Sequence, residues 1–188
     1  DDVRVREAIA HAIDRQALID GTQFGYAPPI ATFWPPTHPD YVDLSALSNY
    51  DPDKSRALLA EAAPEDTSLT LHLPPAPYAR RGGEIIAEQL RAVGFDVEVI
   101  NVEWAQWLSP EVFLPAPCPG VTNDDGQPVF KSGECEATFT YDLTIVSHTE
   151  PNDIGLFAND NYYHAYDNDA FKEIYNEWLV TSDPARRS

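Results

Sequence analysis

The sequence predicts an α/β domain with a small mixed, partly parallel sheet flanked by helices. Three observations carry that expectation. Leu69, Leu71 and Leu73 alternate with polar residues across Ser68 to Leu73, the period of a strand. Ile85, Ile86, Leu90 and Val93 recur at helical spacing across Ala79 to Val93, and Gly94 follows as a C-cap. Alternation then resumes over Phe95 to Val102. Strand, helix, glycine and strand in this order form a βαβ unit, whose two strands run parallel through a right-handed crossover.

The remaining elements are read in chain order. Val5, Ile9, Ala12, Ile13 and Leu18 set one amphipathic helix from Val3 to Asp20, capped by Asp2 and ended by Gly21. Five prolines between Gly25 and Tyr41, with Phe33 and Trp34 among them, leave an extended, ordered loop. Asp51-Pro52 opens a helix to about Ala62, with Asp as cap and Pro in the first turn. A short helix is expected around Glu103 to Leu108, a third and mostly apolar strand over Tyr141 to Ser147, and a closing helix over Asn168 to Leu179.

Composition narrows the function. The 188 residues carry 12 Lys+Arg against 31 Asp+Glu, a formal net charge of -19. Such a surface repels phosphate backbones and anionic lipid, so nucleic acid is excluded as a partner and membrane-surface docking is disfavoured. No apolar run approaches the ~20 residues that span a bilayer. The chain contains no Met, and Asp183-Pro184 is a helix-start signal close to its last residue. Both features point to a segment of a longer protein.

Cys118 and Cys135 bracket a stretch rich in Pro, Gly and Asp. Their spacing is not that of a zinc or redox motif. A disulfide closing this loop would contribute about 3 kcal/mol and would imply an oxidising compartment. The alternative is two unrelated free thiols.

Chemistry-bearing motifs are few. The first βα junction, Pro74-Pro75-Ala76-Pro77-Tyr78, is the opposite of a glycine-rich phosphate loop, and Gly82-Gly83 falls inside the helix. No nucleophile elbow or Walker pattern occurs, and no cofactor is expected. The five histidines are scattered; His11 in a helix and His72 in a strand read as structural. The polar loop after the third strand holds His148, Glu150 and Asp153, at a strand end where open α/β sheets bind ligands. Those side chains suit hydrogen bonding to a ligand better than a metal site, and no metal is expected. A hydrolase using Glu150 and Asp153 as a carboxylate pair is the competing class. Phe33, Trp34, Trp104, Trp107, Tyr162, Tyr163 and Tyr166 either pack internally or wall a cleft for an organic ligand.

Several segments, in order, resemble a known family. Val3-Arg4-Val5-Arg6-Glu7-Ala8-Ile9-Ala10-His11-Ala12-Ile13-Asp14-Arg15 is similar to the VRxAIxxAIDR segment of family 5 extracellular solute-binding proteins. The likeness continues through Gly25-Tyr26-Ala27-Pro28, the stretch from Tyr50 to Leu59, Gly94-Phe95-Asp96-Val97-Glu98-Val99, Tyr141-Asp142-Leu143-Thr144 and Thr181-Ser182-Asp183-Pro184. Only residues 114–139 depart, as a disulfide-closed insertion. The resemblance implies a type II periplasmic-binding-protein-like lobe over residues 1–188, the second lobe of a two-lobed protein. It also implies a binding protein in the periplasm or elsewhere outside the cytoplasm, not an enzyme. Its partners would be a peptide or small-molecule ligand, the membrane subunits of an ABC importer, and the first lobe of the same protein. In the family's peptide binders an Asp after the YDL-type strand meets the peptide's amino group, and Asp153 matches it by position. That loop commonly begins Gly-Trp, where Ser147-His148 stands here. The implied ligand-binding set is Asp153, His148, Glu150, Trp34 and Trp104.

Overall fold

The structure is a computed structural model. It describes residues 2–109, 117–122, 126, 128–129, 131–132, 135–136, 140–147, 153–159, 162, 166–183 and 186, without the side chains of 131–132, 135–136 and 153. The chain divides into two compact units. The first comprises residues 1–32, 43–104 and 141–146; the second comprises 33–42, 105–140 and 147–188.

The first unit is a three-stranded sheet with helices. Strands β1 (Ser68–Leu73), β2 (Asp96–Asn101) and β5 (Leu143–Thr144) lie in the order β2-β1-β5. Both pairings are parallel, with Ser68 opposite Asp96 and His72 opposite Thr144. Helix α4 (Pro77–Val93) makes the crossover, and its C-cap Gly94 sits at φ 116°, a left-handed conformation that glycine adopts without strain. The core gathers Leu71 and Leu73 from β1, Ala87, Leu90 and Val93 from α4, Phe95 and Val97, and Leu59 from helix α3 (Pro52–Ala62). Gly83 explains how α4 comes so near the sheet. A Cβ there would lie 2.3 to 2.9 Å from three side-chain carbons of Leu73. The Gly-Gly pair is therefore a packing device.

The N-terminal helix corrects the sequence reading. Two helices, α1 (Val3–Ala12) and α2 (Arg15–Gln23), replace the single one expected, and α2 runs through Gly21 to a left-handed C-cap at Phe24. The break comes from Asp14. Its side chain accepts the Ala17 N–H at 3.0 Å, while Ile13 and Asp14 are both extended. A local cap thus outcompetes continuation of the apolar stripe.

Buried polar contacts fasten α1 to α3 and the segment before it. The Ser55 hydroxyl donates to the Ala8 carbonyl at 2.7 Å. His11 Nδ1 lies 2.7 Å from the Asn49 carbonyl oxygen, and the Asp51 N–H donates to the His11 carbonyl at 2.9 Å. Asp51 then caps α3 through the Lys54 N–H. Satisfying these groups internally removes the penalty of burying them.

The described elements of the second unit are the hairpin β3 (Lys131–Ser132) and β4 (Cys135–Glu136), a 3-10 helix at Asp153–Ala158 and α6 (Asp169–Val180). The single turn α5 (Trp104–Trp107) lies at the chain boundary between the units. Asn168 caps α6 by accepting the Phe171 N–H at 3.0 Å. Among the described residues no helix is long and apolar enough to cross a membrane.

Candidate functional site

The third strand is shorter than its apolar run suggests. Only Leu143 and Thr144 pair with β1, and a hydrogen bond from the Asp142 N–H to the Thr70 carbonyl extends the contact. Thr144 is held further by its hydroxyl, which donates to the His72 carbonyl at 2.7 Å. The chain leaves this parallel edge at its carboxyl end, and Asp153 begins the 3-10 helix Asp153–Ala158. The side chain of Asp153 lies outside the described residues, as do His148 and Glu150 entirely. Their expected grouping thus lies outside the described residues, apart from the backbone of Asp153.

The two tryptophans differ sharply. Trp34 is 7% exposed, and its ring stacks on His38 with centroids 4.0 Å apart and planes 7° from parallel. Phe33 meets it edge-on at 5.2 Å. Trp178 lies with its ring centroid 6.4 Å from that of Trp34, and Tyr175 stacks 6.0 Å from Trp178. Phe157, Tyr166 and Phe171 join through edge-to-face contacts of 5.9 to 6.4 Å. Such pairs contribute about 0.5–1.5 kcal/mol each beyond their buried area. Trp104 is 46% exposed and falls in the first unit, whereas Trp34 falls in the second.

The aromatic ladder was missed in the sequence. Its signal was present: Phe171, Tyr175 and Trp178 stand at i, i+4 and i+7, one face of α6. The aromatic set weighed from the sequence did not include these three residues. The approach of Trp178 to Trp34, in a proline-rich segment far upstream, is not legible from spacing.

The histidines divide by environment. His11 is buried and hydrogen-bonded, as described above. His72 is also buried, and its Nδ1 has no hydrogen-bond partner. Burial pushes its pKa down, against the pull of Asp142 and Glu98. Tyr141 lies beside it, with ring centroids 5.8 Å apart, and burial pushes the Tyr141 hydroxyl up to about 12. Among the described residues no group of three or more His, Cys, Asp or Glu is arranged to hold a metal ion. Cys118 is buried at 2% exposure, and the side chain of Cys135 lies outside the described residues.

Residues 1–125 match the model of the middle region of bacterial extracellular solute-binding proteins, family 5. The dipeptide-binding protein of Escherichia coli is 32% identical over 114 residues, which are 57% of this chain and 21% of that protein. Heme-binding protein A of Haemophilus influenzae is 30% identical over 136 residues, 68% of this chain and 25% of that protein. The chain thus spans a fifth to a quarter of the length of these curated relatives. Among solved structures, the dipeptide binding protein from Pseudoalteromonas sp. SM9913 in complex with Met-Leu aligns with a TM-score of 0.70 at 19% identity. That alignment covers 100% of this chain and 35% of that one. The oligopeptide-binding protein AppA from Bacillus subtilis, in complex with a nonapeptide, gives 0.69 at 18% identity, over 99% and 37%. At such identities the likeness is one of fold: α/β, of the type II periplasmic-binding-protein kind.

Proposed function

Because the chain belongs to the bacterial extracellular solute-binding proteins of family 5, we propose that it is part of a protein that captures a peptide, or a similar small solute, for an ABC importer. The observation that carries this is the family match over residues 1–125, a span that includes α1 and the βαβ unit. Relatives named for dipeptide binding support peptide as the ligand class. The competing hydrolase reading has no support of this kind, since the matched family consists of solute-binding proteins.

In this reading residues 1–188 contribute to one lobe of a two-lobed protein, and the first lobe of that protein supplies the other wall of the cleft. Asp153, with Glu150 and His148 near it in sequence, holds a cationic group of the ligand. A carboxylate shielded from water is a strong partner for an ammonium. Trp104, 46% exposed, is the aromatic candidate for the cleft, whereas Trp34, 7% exposed, packs within the second unit. Closure of the lobes then signals occupancy to the membrane subunits. Binding takes place in the periplasm or elsewhere outside the cytoplasm, and no chemical step on the ligand is involved.

An oxidising compartment fits a Cys118–Cys135 cross-link around the insertion at 114–139. What supports this link is the burial of Cys118 and the absence of a free cysteine among the described residues. Alkylation with and without reductant, followed by mass spectrometry, tests it; two alkylated thiols without reductant would remove the link.

The ligand reading is tested by calorimetric titration of the full-length protein with a broad peptide pool. Binding that is recovered unchanged as peptide, and weakened at least about tenfold (~1.4 kcal/mol) in Asp153→Ala, is expected. No heat from any peptide, or undiminished binding by Asp153→Ala, would reject the ligand or the residue respectively.

A further inference from the structure

His72 occupies an unusual place in the first unit. It lies on the central strand β1, and the neighbouring Leu71 and Leu73 belong to the apolar core shared with α4. Side chains alternate across a strand, so His72 faces away from that core. It is nevertheless only 7% exposed, and its Nδ1 has neither a protein partner nor contact with solvent. Such an orphaned ring nitrogen is tolerated while the imidazole is neutral, because Nδ1 can then be the unprotonated atom. Protonation would place an N–H and a positive charge where no acceptor waits.

Among the described residues, the groups around the ring do not answer that charge. Tyr141 is its aromatic neighbour and is itself protonated throughout the neutral range. Asp142 spends its carboxylate on Thr70, accepting the backbone N–H at 2.7 Å and the hydroxyl at 2.8 Å. Glu98, on β2, is exposed and pairs in register with Thr70, two residues from His72. Both carboxylates raise the proton affinity of the ring, but burial outweighs them. No other residue of β1 is ionisable.

The strand beside His72 is also the weakest join in the sheet. β2 meets β1 over six residue pairs, whereas β5 meets it over two, and one of those two is His72 with Thr144. Peeling β5 away would carry off Tyr141 and open the ring to water, at the cost of very few ladder contacts. We propose that His72 is a proton-operated latch on β5: its protonation releases Tyr141–Thr144 from β1 while the βαβ unit stays folded. β5 lies upstream of Asp153 in the chain, so under the proposed function the latch would make solute capture respond to external acidity. That consequence rests on the functional reading, whereas the latch itself does not.

The direction follows from linkage. A histidine kept neutral by folding costs nothing above its ordinary pKa of 6.5, and the closed state loses stability as pH falls below it. The test is amide hydrogen exchange on the 188-residue chain between about pH 7.5 and about pH 5.5, corrected for intrinsic rates. The segment Tyr141–Thr144 should exchange about tenfold faster at the lower pH, relative to α4, for one unit of pH below the ordinary pKa. In His72→Gln and His72→Phe the ratio should stay flat. No acceleration in the unaltered chain, or equal acceleration in His72→Gln, overturns the latch. Should both variants fail to fold, the NMR titration of the His72 ring in the unaltered chain decides. A midpoint below 6.5 is expected, and one at or above it overturns the proposal. Peptide titration at both pH values separates the two ideas: pH-dependent exchange without peptide binding sustains the latch and removes the functional reading.

Discussion

The carboxylate of Asp142 accepts two hydrogen bonds from Thr70, from the backbone N–H at 2.7 Å and from the hydroxyl at 2.8 Å. In return the Asp142 N–H reaches the Thr70 carbonyl at 3.2 Å. This pincer fixes where the third strand joins the sheet, one residue before Leu143 meets Leu71. With two paired residues the strand has little else to set its register, and a slip of one residue would turn every side chain to the wrong face.

Asp142→Ala should therefore lower stability by about 1–2 kcal/mol, since hydrogen bonds to a charged group are among the stronger ones and this site is partly open to water. Asp142→Asn retains an acceptor oxygen and should lose roughly half as much. Urea denaturation checks both, read as a shift in midpoint at constant slope. An unchanged midpoint in Asp142→Ala would mean that Leu143 and Thr144 suffice to seat the strand.

Two adjacent glycines make a sharper comparison. At Gly83 an added Cβ meets Leu73 carbons at 2.3 to 2.9 Å, and Leu73 is fully buried with no room to retreat. At Gly82 the nearest atoms, from Thr22, Ile145 and Leu18, stand at 3.5 to 3.8 Å, which is ordinary contact. Gly83→Ala should cost about 1–3 kcal/mol from overpacking. Gly82→Ala should gain up to about 1 kcal/mol from helix propensity. Thermal midpoints moving in opposite directions are the expected result; a shared direction would contradict the packing argument.

Much of the first unit was legible because its signals are local. Alternation marked Ser68–Leu73 to the residue, and Asp51-Pro52 and Gly94 marked two helix ends by cap chemistry. Three residues of the segments that carry the family likeness serve the scaffold. Asp14 caps α2, Arg15 donates to the Ser48 carbonyl at 2.5 Å, and Asp142 sets strand register. What escaped the sequence was long-range: Trp34 stacked on His38 and within 6.4 Å of Trp178, and an orphaned nitrogen on His72. Hydrophobic spacing cannot say which distant aromatic a tryptophan meets, nor whether a buried imidazole finds a partner.

The break between α1 and α2 shows a local cap prevailing over an apolar stripe. Five apolar residues at helical spacing argued for continuity, yet Asp14 makes a cap bond at 3.0 Å and its N–H also donates to Gln89 Oε1 at 3.1 Å. Asp14→Ala should destabilise the unit by about 1 kcal/mol through the lost cap. Asp14→Ser should recover most of that, because serine caps nearly as well. Chemical denaturation of the pair checks this. Equal losses in both variants would assign the break to packing of α2 on α4 instead.

Tyr141 gives the last test, at the alkaline end. Burial holds its hydroxyl protonated up to about 12, against an ordinary value of 10.0. Folding thus retains a proton that the unfolded chain gives up. The stabilising effect is whole below pH 10.0 and is lost as pH rises from there through about 12. In an ultraviolet titration of the folded chain, Tyr141 should be a late step that Tyr141→Phe removes without altering the earlier ones. The same substitution should flatten the fall of stability in that alkaline window. If the late step survives in Tyr141→Phe, another tyrosine is the buried one, and the packing of Tyr141 against His72 is looser than a ring separation of 5.8 Å implies.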